Sequence, residues 1–426
     1  MKKTFITATC FILAICLILL LAACSKPQAT GQESPASSDT PTPGLSTTVP
    51  TGEYMDRCGF GSTYGTMVTD GKYLYYRRYG GEMQAWDIQR MDLSTKEIKT
   101  LVTSDAYYPA EHCINLFLDG GKLFFTLYKN PTTEELCGYD EATGAATRIT
   151  AAKTILLAQG TIYLTDGGKL YSQPLNGNSR KELLDREPVD MAVSPQYTAI
   201  LTDQNKIVLF KKDGTRLELD ATLPEDEGKA SGTYYWDKEN PDAFGQIHIY
   251  ADSLYYIAHV PGENGSGENL SMCRLDIASG TAERIFSVDK NFNITGFTMF
   301  AGMIYYTSRE IPEELGGQVI YHLYQYDLNT GENRQLGESK VPFTGYGDIE
   351  YNAITLSGSY AFAWMLTQRT ETGDGTNETY TLYRFDPASG AGEKTDESIY
   401  QYFYNGPPAT PDQSEPNPTA SRKPKK

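Results

Sequence analysis

The residues best suited to chemistry in this chain are carboxylates set in polar stretches. They are Glu82, the pairs Glu134-Glu135 and Glu313-Glu314, and further Glu263, Glu268, Glu310, Glu371, Asp374 and Glu378. Two carboxyl groups roughly 5 to 9.5 Å apart can act as acid and base, or acid and nucleophile, on a glycosidic bond. Near them in kind is the run Tyr234-Tyr235-Trp236, whose rings can stack on sugars or cover apolar peptide. Histidine is scarce: His112, His248, His259 and His322 lie far apart, and the second and third flank one strand region in a way that would suit a lyase. The remaining catalytic patterns are missing from the sequence. There is no G-x-S-x-G elbow, H-E-x-x-H pair, phosphate-binding loop, D-x-D-x-D-G calcium loop or S-x-D-x-G-x-T-W box. Carboxylates in polar stretches of an acidic protein are mostly solvated. No residue is therefore assigned a catalytic role, and no cofactor or metal is expected.

The segments that must position these groups are repeats. One unit, residues 70–102, reads as a Gly-centred turn, a Tyr-rich alternating strand, a loop, a second strand and a DLSTKE turn into a third. An aromatic strand after a turn recurs seven times, at Asp70-Gly71-Lys72-Tyr73, Asp119-Gly120-Gly121-Lys122, Gln159-Gly160-Thr161, Gln196-Tyr197, Asp252-Ser253-Leu254, Gly302-Met303-Ile304 and Gly358-Ser359-Tyr360. A closing turn also recurs, at Asp92, Asp140, Asp276, Asp327 and Asp386, with shorter equivalents at Asn176-Gly177 and Asp213-Gly214. This is hairpin chemistry: the Asp side chain bonds backbone N–H groups two residues on, and Gly takes the positive-φ position. Each repeat gains a further strand just before its aromatic one. Four antiparallel strands repeated in this way cannot bury their faces alone, and stacking them in a ring gives an all-β fold, a β-propeller, over residues 53–404. Seven four-stranded blades are expected. Six or eight stay open, because residues 398–404 alternate like one more strand that closes the ring beside the first repeat.

In such a blade the short turns share one side of the disc, and the loops between strands two and three share the other. Those loops read as long in five blades, at 79–85, 129–135, 260–269, 309–318 and 367–379. The connection 221–244, which carries the Tyr-Tyr-Trp run, opens on the same side. Insertions in repeat proteins collect on the binding face. That makes Tyr234, Tyr235, Trp236, Glu82, Glu134, Glu135, Glu313 and Glu314 the candidate binding face.

The ends of the chain carry different information. Lys2 and Lys3 precede an almost wholly apolar run that closes at Leu21-Ala22-Ala23-Cys24. This resembles the lipobox of bacterial lipoproteins, and the resemblance implies cleavage before Cys24 and a diacylglyceryl thioether on its sulfur. Two acyl chains suffice for stable anchoring at about 0.8 kcal/mol per buried methylene. An uncleaved membrane helix is the competing reading of the same run. Residues 24–52 are Ser, Thr, Pro, Gln and Gly, a tether, and residues 405–426 form a Pro-rich tail ending Arg422-Lys423-Pro424-Lys425-Lys426. The formal charge of −17 disfavours a phosphate-backbone partner, so nucleic acid is excluded as a main ligand. Cys58, Cys113, Cys137 and Cys273 match no metal spacing; Cys58 with Cys113 is a candidate disulfide, and buried thiols are the alternative.

The repeat region also resembles the propeller domains of secreted bacterial lipoproteins whose repeats are named after the low-density lipoprotein receptor-related proteins. The receptor's YWTD tetrapeptide is absent, the nearest being aromatic pairs such as Tyr255-Tyr256, so no ligand residue carries over. The sequence thus points to a lipid-anchored, extracytoplasmic, monomeric propeller. It would bind peptide, glycan or an envelope protein through its loop side. The rival readings are a polysaccharide hydrolase or lyase using loop carboxylates, and an accessory subunit of a membrane sensor.

Overall fold

The computed structural model describes residues 67–79, 86–103, 112–130, 133–202, 206–221, 223, 247–261, 268–288, 292–310, 312, 317–342, 354–357, 360–372 and 375–403. All fall within the compact unit Leu45–Lys426. They form seven four-stranded antiparallel sheets and no helix. Blade 1 contains β1 (Met67–Thr69), β2 (Tyr73–Tyr79), β3 (Trp86–Asp92) and β4 (Ile98–Thr103). Blade 2 contains β5 (His112–Asp119), β6 (Lys122–Asn130), β7 (Thr133–Asp140) and β8 (Ala145–Ala152). Blade 3 contains β9 (Thr154–Ala158), β10 (Thr161–Asp166), β11 (Lys169–Pro174) and β12 (Lys181–Leu184). Blade 4 contains β13 (Asp190–Val193), β14 (Tyr197–Leu201), β15 (Lys206–Lys211) and β16 (Arg216–Asp220). Blade 5 contains β17 (Ile247–Tyr250), β18 (Ser253–Pro261), β19 (Glu268–Asp276) and β20 (Ala282–Ser287). Blade 6 contains β21 (Phe292–Phe300), β22 (Met303–Glu310), β23 (Gln318–Asp327) and β24 (Asn333–Pro342). Blade 7 contains β25 (Ile354–Ser357), β26 (Tyr360–Thr372), β27 (Gly375–Phe385) and β28 (Gly392–Phe403).

The recurrent turns do what their residues predict. In blade 1 the Asp92 carboxylate accepts the N–H groups of Ser94 at 2.9 Å and Thr95 at 3.0 Å. The Ser94 hydroxyl and these backbone bonds hold its carboxyl down at about 2. The same turn has Gly144, Gly280, Gly331 and Gly390 at φ between +69° and +74°, each N–H returning to its Asp carbonyl. Blade 1 uses Lys96 there, at φ +63°. A lysine in a left-handed conformation bears a steric cost that the glycines avoid.

Burial is organised between blades. Leu116, Leu118, Leu123 and Phe125 of blade 2 pack with blade 1, whereas Phe117, Phe124 and Leu136 pack with blades 3 and 4. Further clusters join blades 4 and 5, 5 and 6, and 6 and 7. The ring closes where Trp364 and Phe362 of blade 7 join the blade 1 cluster, the Trp364 ring lying edge-on to Tyr76 at 5.9 Å. The Tyr76 hydroxyl donates to Asp396 on β28 at 2.7 Å. Alternation along each strand sends consecutive side chains to the two neighbouring blades, which is why one strand serves two cores.

The seven-blade expectation holds, and two details differ from the sequence reading. Residues 398–403 pair with β27 as the outer strand of blade 7, with Gly375 opposite Phe403, and do not pair beside blade 1. The stretches 129–135 and 367–379 are mostly strand: only 131–132 separate β6 from β7, and only 373–374 separate β26 from β27. Residues 66, 221–246 in large part, and 404–426 lie outside the described residues.

Candidate functional site

Antiparallel order places the 1–2 and 3–4 turns of every blade on one side of the disc and the 2–3 loops and blade-to-blade connections on the other. Of the candidate binding residues, Glu82, Tyr234, Tyr235, Trp236, Glu313 and Glu314 lie outside the described residues, as do Cys24 and Cys58. The two that are described, Glu134 and Glu135, sit at the loop-side end of β7, in a strand and not in a solvent loop.

Their environments differ. Glu134 is 1% exposed, and its Oε2 accepts the Ile155 N–H of blade 3 at 3.1 Å. Burial pushes its carboxyl up to about 8, against the pull of that N–H. Glu135 is also buried, with Oε1 2.9 Å from an Arg148 guanidinium nitrogen on β8. Adjacent residues on a strand point to opposite faces, so the two carboxyls do not converge on one substrate. Polar composition around 129–135 suggested a loop; strand pairing to β6 and β8 overrides it.

The innermost strands show a related pattern. Asp190, at the start of β13, accepts the N–H of Met191 at 2.8 Å through one oxygen and that of Ile247 in blade 5 at 2.9 Å through the other. Asp119 ends β5 on the turn side and accepts the Gly160 N–H of blade 3 at 2.6 Å. His248 on β17 is buried with its ring 4.2 Å from that of Phe297 on β21 of the next blade. Carboxylates and imidazole here join one blade to the next. Cys137 and Cys273 are buried thiols.

The loop side is built highest at blades 6 and 7. There Glu378 on β27 receives Arg369 of β26 at 2.8 Å from Nε and 2.6 Å from Nη2, and the Tyr380 hydroxyl at 2.6 Å. Arg369 also donates to the Pro342 carbonyl of blade 6 at 3.1 Å. Arg369 and Glu378 are buried, and burial with the Glu378 charge raises the Tyr380 hydroxyl far above its ordinary range. On blade 6, His322 lies between Glu310, 3.9 Å from Nε2, and Glu338, 3.8 Å from Nδ1. Burial lowers its basicity, with both carboxylates opposing. Sequence context makes Glu378 a loop carboxylate and gives no mark to Arg369. The available signal was the even spacing of Glu378 and Tyr380 leading into the apolar alternation of β27.

One open cleft of about 800 Å³ is described, and it lies on the turn side at blade 2. Tyr75, Leu101, Leu123, Phe124, Tyr139, Ile149 and Leu175 give its apolar walls; Asp119, Lys122, Asp140 and Glu141 stand at its rim.

The described residues define a seven-bladed β-propeller with an elevated blade 6–7 sector on one side and a cleft on the other. No family model and no curated protein matches the chain. Among solved structures it is similar to a chain in the crystal structure of a mitotic checkpoint complex, at 9% identity and TM-score 0.43, covering 80% of this chain and 95% of that one. It is also similar to Porphyromonas gingivalis dipeptidyl peptidase 4, at 11% identity and TM-score 0.40, covering 80% of this chain and 54% of the peptidase chain. Neither likeness carries an argument about activity.

Proposed function

We propose that this chain is a lipid-anchored extracytoplasmic binding scaffold. Cys24 is its attachment point, and its loop side receives a peptide, glycan or envelope protein. The observation that carries the reading is the use of Asp119, Asp190, Glu134 and His248 in contacts between blades. An acid–base catalyst needs such groups facing substrate; a scaffold needs a stiff disc that displays variable loops, and here they provide stiffness. The −17 formal charge steers cationic partners and repels polyanions.

The test has two parts. Mass spectrometry of membrane-extracted protein should find a diacylglyceryl group on an N-terminal Cys24, and Cys24→Ala should release the protein from the membrane. Peptide and glycan arrays should then reveal saturable binding that Tyr235→Ala and Trp236→Ala each weaken about tenfold or more, as central aromatic contacts do. Equal binding by both variants would overturn the assignment of the loop side, and turnover of a polysaccharide would overturn the scaffold reading.

A further inference from the structure

The blade 2 cleft lies beside a departure from a pattern that four other blades keep. In each blade the second inward position of the aromatic strand faces a residue on the third strand. The pairs are Tyr75 with Arg90, Tyr163 with Ser172, Ala199 with Leu209, Tyr255 with Arg274, Tyr305 with Gln325 and Phe362 with Arg384. In four of these the third-strand residue is long and polar. Arg90 lies over the Tyr73 ring at 4.3 Å, Gln325 donates to the Tyr305 hydroxyl at 3.0 Å, and Arg384 lies over Tyr360 at 4.3 Å. In blade 2 the position opposite Phe124 is Gly138. A Cβ there would stand 3.2 Å from the Phe124 ring and 3.3 Å from Ile149 Cδ1. The Phe124 ring and Ile149 close over the bare backbone at Gly138, where blades 1, 5, 6 and 7 carry a long polar side chain, and the cleft opens beside them.

The walls of this space belong to both faces of the blade. Leu123 packs on the blade 1 side, where Tyr75, Leu101 and Tyr139 flank it; Phe124 packs on the blade 3 side with Leu175. Between these two apolar walls run the turns that carry Asp119, Lys122, Asp140 and Glu141. Glu141 is paired with Arg90 of blade 1. Asp140 is held anionic by the N–H of Ala142 and by Thr143. That leaves Asp119 and Asp140 against the one ammonium of Lys122, a rim short of one positive charge. A volume of 800 Å³ lies within the roughly 300 to 1,000 Å³ of ligand pockets.

We propose that this cleft is a second binding site, distinct from the loop side, for a peptide segment that places one basic side chain between two aliphatic ones. The basic group takes the place over Asp119 and Asp140, and the aliphatic groups take the two walls. The site uses none of the loop-side residues, and of the residues in contacts between blades it shares only Asp119, whose Oδ1 accepts the Gly160 N–H.

The probe is an acetylated, fluorescein-labelled peptide Ala-Leu-Lys-Leu-Ala, titrated into the full chain by fluorescence polarisation. Saturable binding is expected, weakened about tenfold or more, equivalent to about 1.4 kcal/mol, by Gly138→Arg, which restores the side chain type of blades 1, 5 and 7. Ile149→Arg, at an exposed position that leaves the core untouched, should weaken it similarly, which keeps the result readable if Gly138→Arg folds poorly. Replacing the peptide lysine by norleucine should also cost affinity, and rising salt should weaken the lysine peptide alone. Trp236→Ala should leave this binding unchanged. Unsaturable binding, equal affinity for Ile149→Arg and the parent chain, equal affinity for the norleucine peptide, or a neutral oligosaccharide displacing the peptide would each overturn the proposal.

Discussion

Blades 3 and 4 and blades 6 and 7 build the same four-stranded unit to different heights. In the first pair no strand exceeds six residues, and a single residue, Lys153, links β8 to β9. In the second, β26 runs for 13 residues and β28 for 12. The short sector is joined to its neighbours by carboxylates that accept backbone N–H groups, Glu134 to Ile155 and Asp190 to Ile247. The tall sector is joined by side chains, with Arg369, Glu378 and Tyr380 bonded to one another and reaching the Pro342 carbonyl. Short blades fit where the chain only has to complete the disc. Tall blades need internal polar partners because strand extended beyond the disc would otherwise bury unpaired groups.

The largest effect should come from breaking the tall sector's pair. Glu378→Ala leaves the Arg369 guanidinium buried without its carboxylate, and chemical denaturation should show a loss of about 3 to 5 kcal/mol. Arg369→Met with Glu378→Leu should cost far less. Equal losses for the single and the double variant would mean that the pair is not what holds this sector.

A smaller effect, opposite in sign, is expected at the short sector. Glu134 has a folded value of about 8 against an ordinary value of 4.5. The folded state therefore holds this proton more tightly than the unfolded state. The resulting stability is complete below pH 4.5 and is lost as pH rises toward 8. Glu134→Gln keeps an acceptor for the Ile155 N–H and removes the titration. The variant should match the parent at pH 4 and exceed it by about 3 kcal/mol at pH 7, read from denaturation midpoints across pH. A difference independent of pH would show that the bond to Ile155, and not the proton, sets the effect.

The smallest effect tests the closing turn of the tall sector, which blades 2 and 5 share and the short sector replaces with a shorter one. Lys96→Gly places in blade 1 the residue used at φ near +70° in four other blades, and it also removes the exposed pair of Lys96 with Glu393. Because such surface pairs contribute little, the net should be a gain of about 0.5 to 1 kcal/mol, seen as a raised melting temperature. A loss would mean that the seam between blades 1 and 7 depends on that surface pair.

What was legible in the sequence follows the range of the forces involved. The closing turns were readable because Asp92, Asp140, Asp276, Asp327 and Asp386 act within three residues of themselves. Blade number follows from counting these five with the shorter equivalents at Asn176-Gly177 and Asp213-Gly214. The stretch 367–379 misleads because its Gly, Asp and Asn are turn formers by local preference, while pairing across β26 and β27 decides the outcome. Glu134 was legible as a carboxylate of interest but not as a buried one, since its burial depends on Ile155, which belongs to another blade. The blade 2 cleft is lined by Gly138, whose lack of a side chain acquires meaning only against the register of the other blades. Loop length is the local signal of a binding face, and a glycine in mid-strand gives none.

Each described blade is cut from one uninterrupted stretch of chain, and no strand is lent from one end to the other. Closure at the seam rests on packing and on bonds such as Tyr76 to Asp396, with no shared sheet. Blade sequence and blade shape are therefore separable. The ring can in principle be reopened at Lys153 and its old ends bridged, giving a circular permutant with the same disc and a new starting blade.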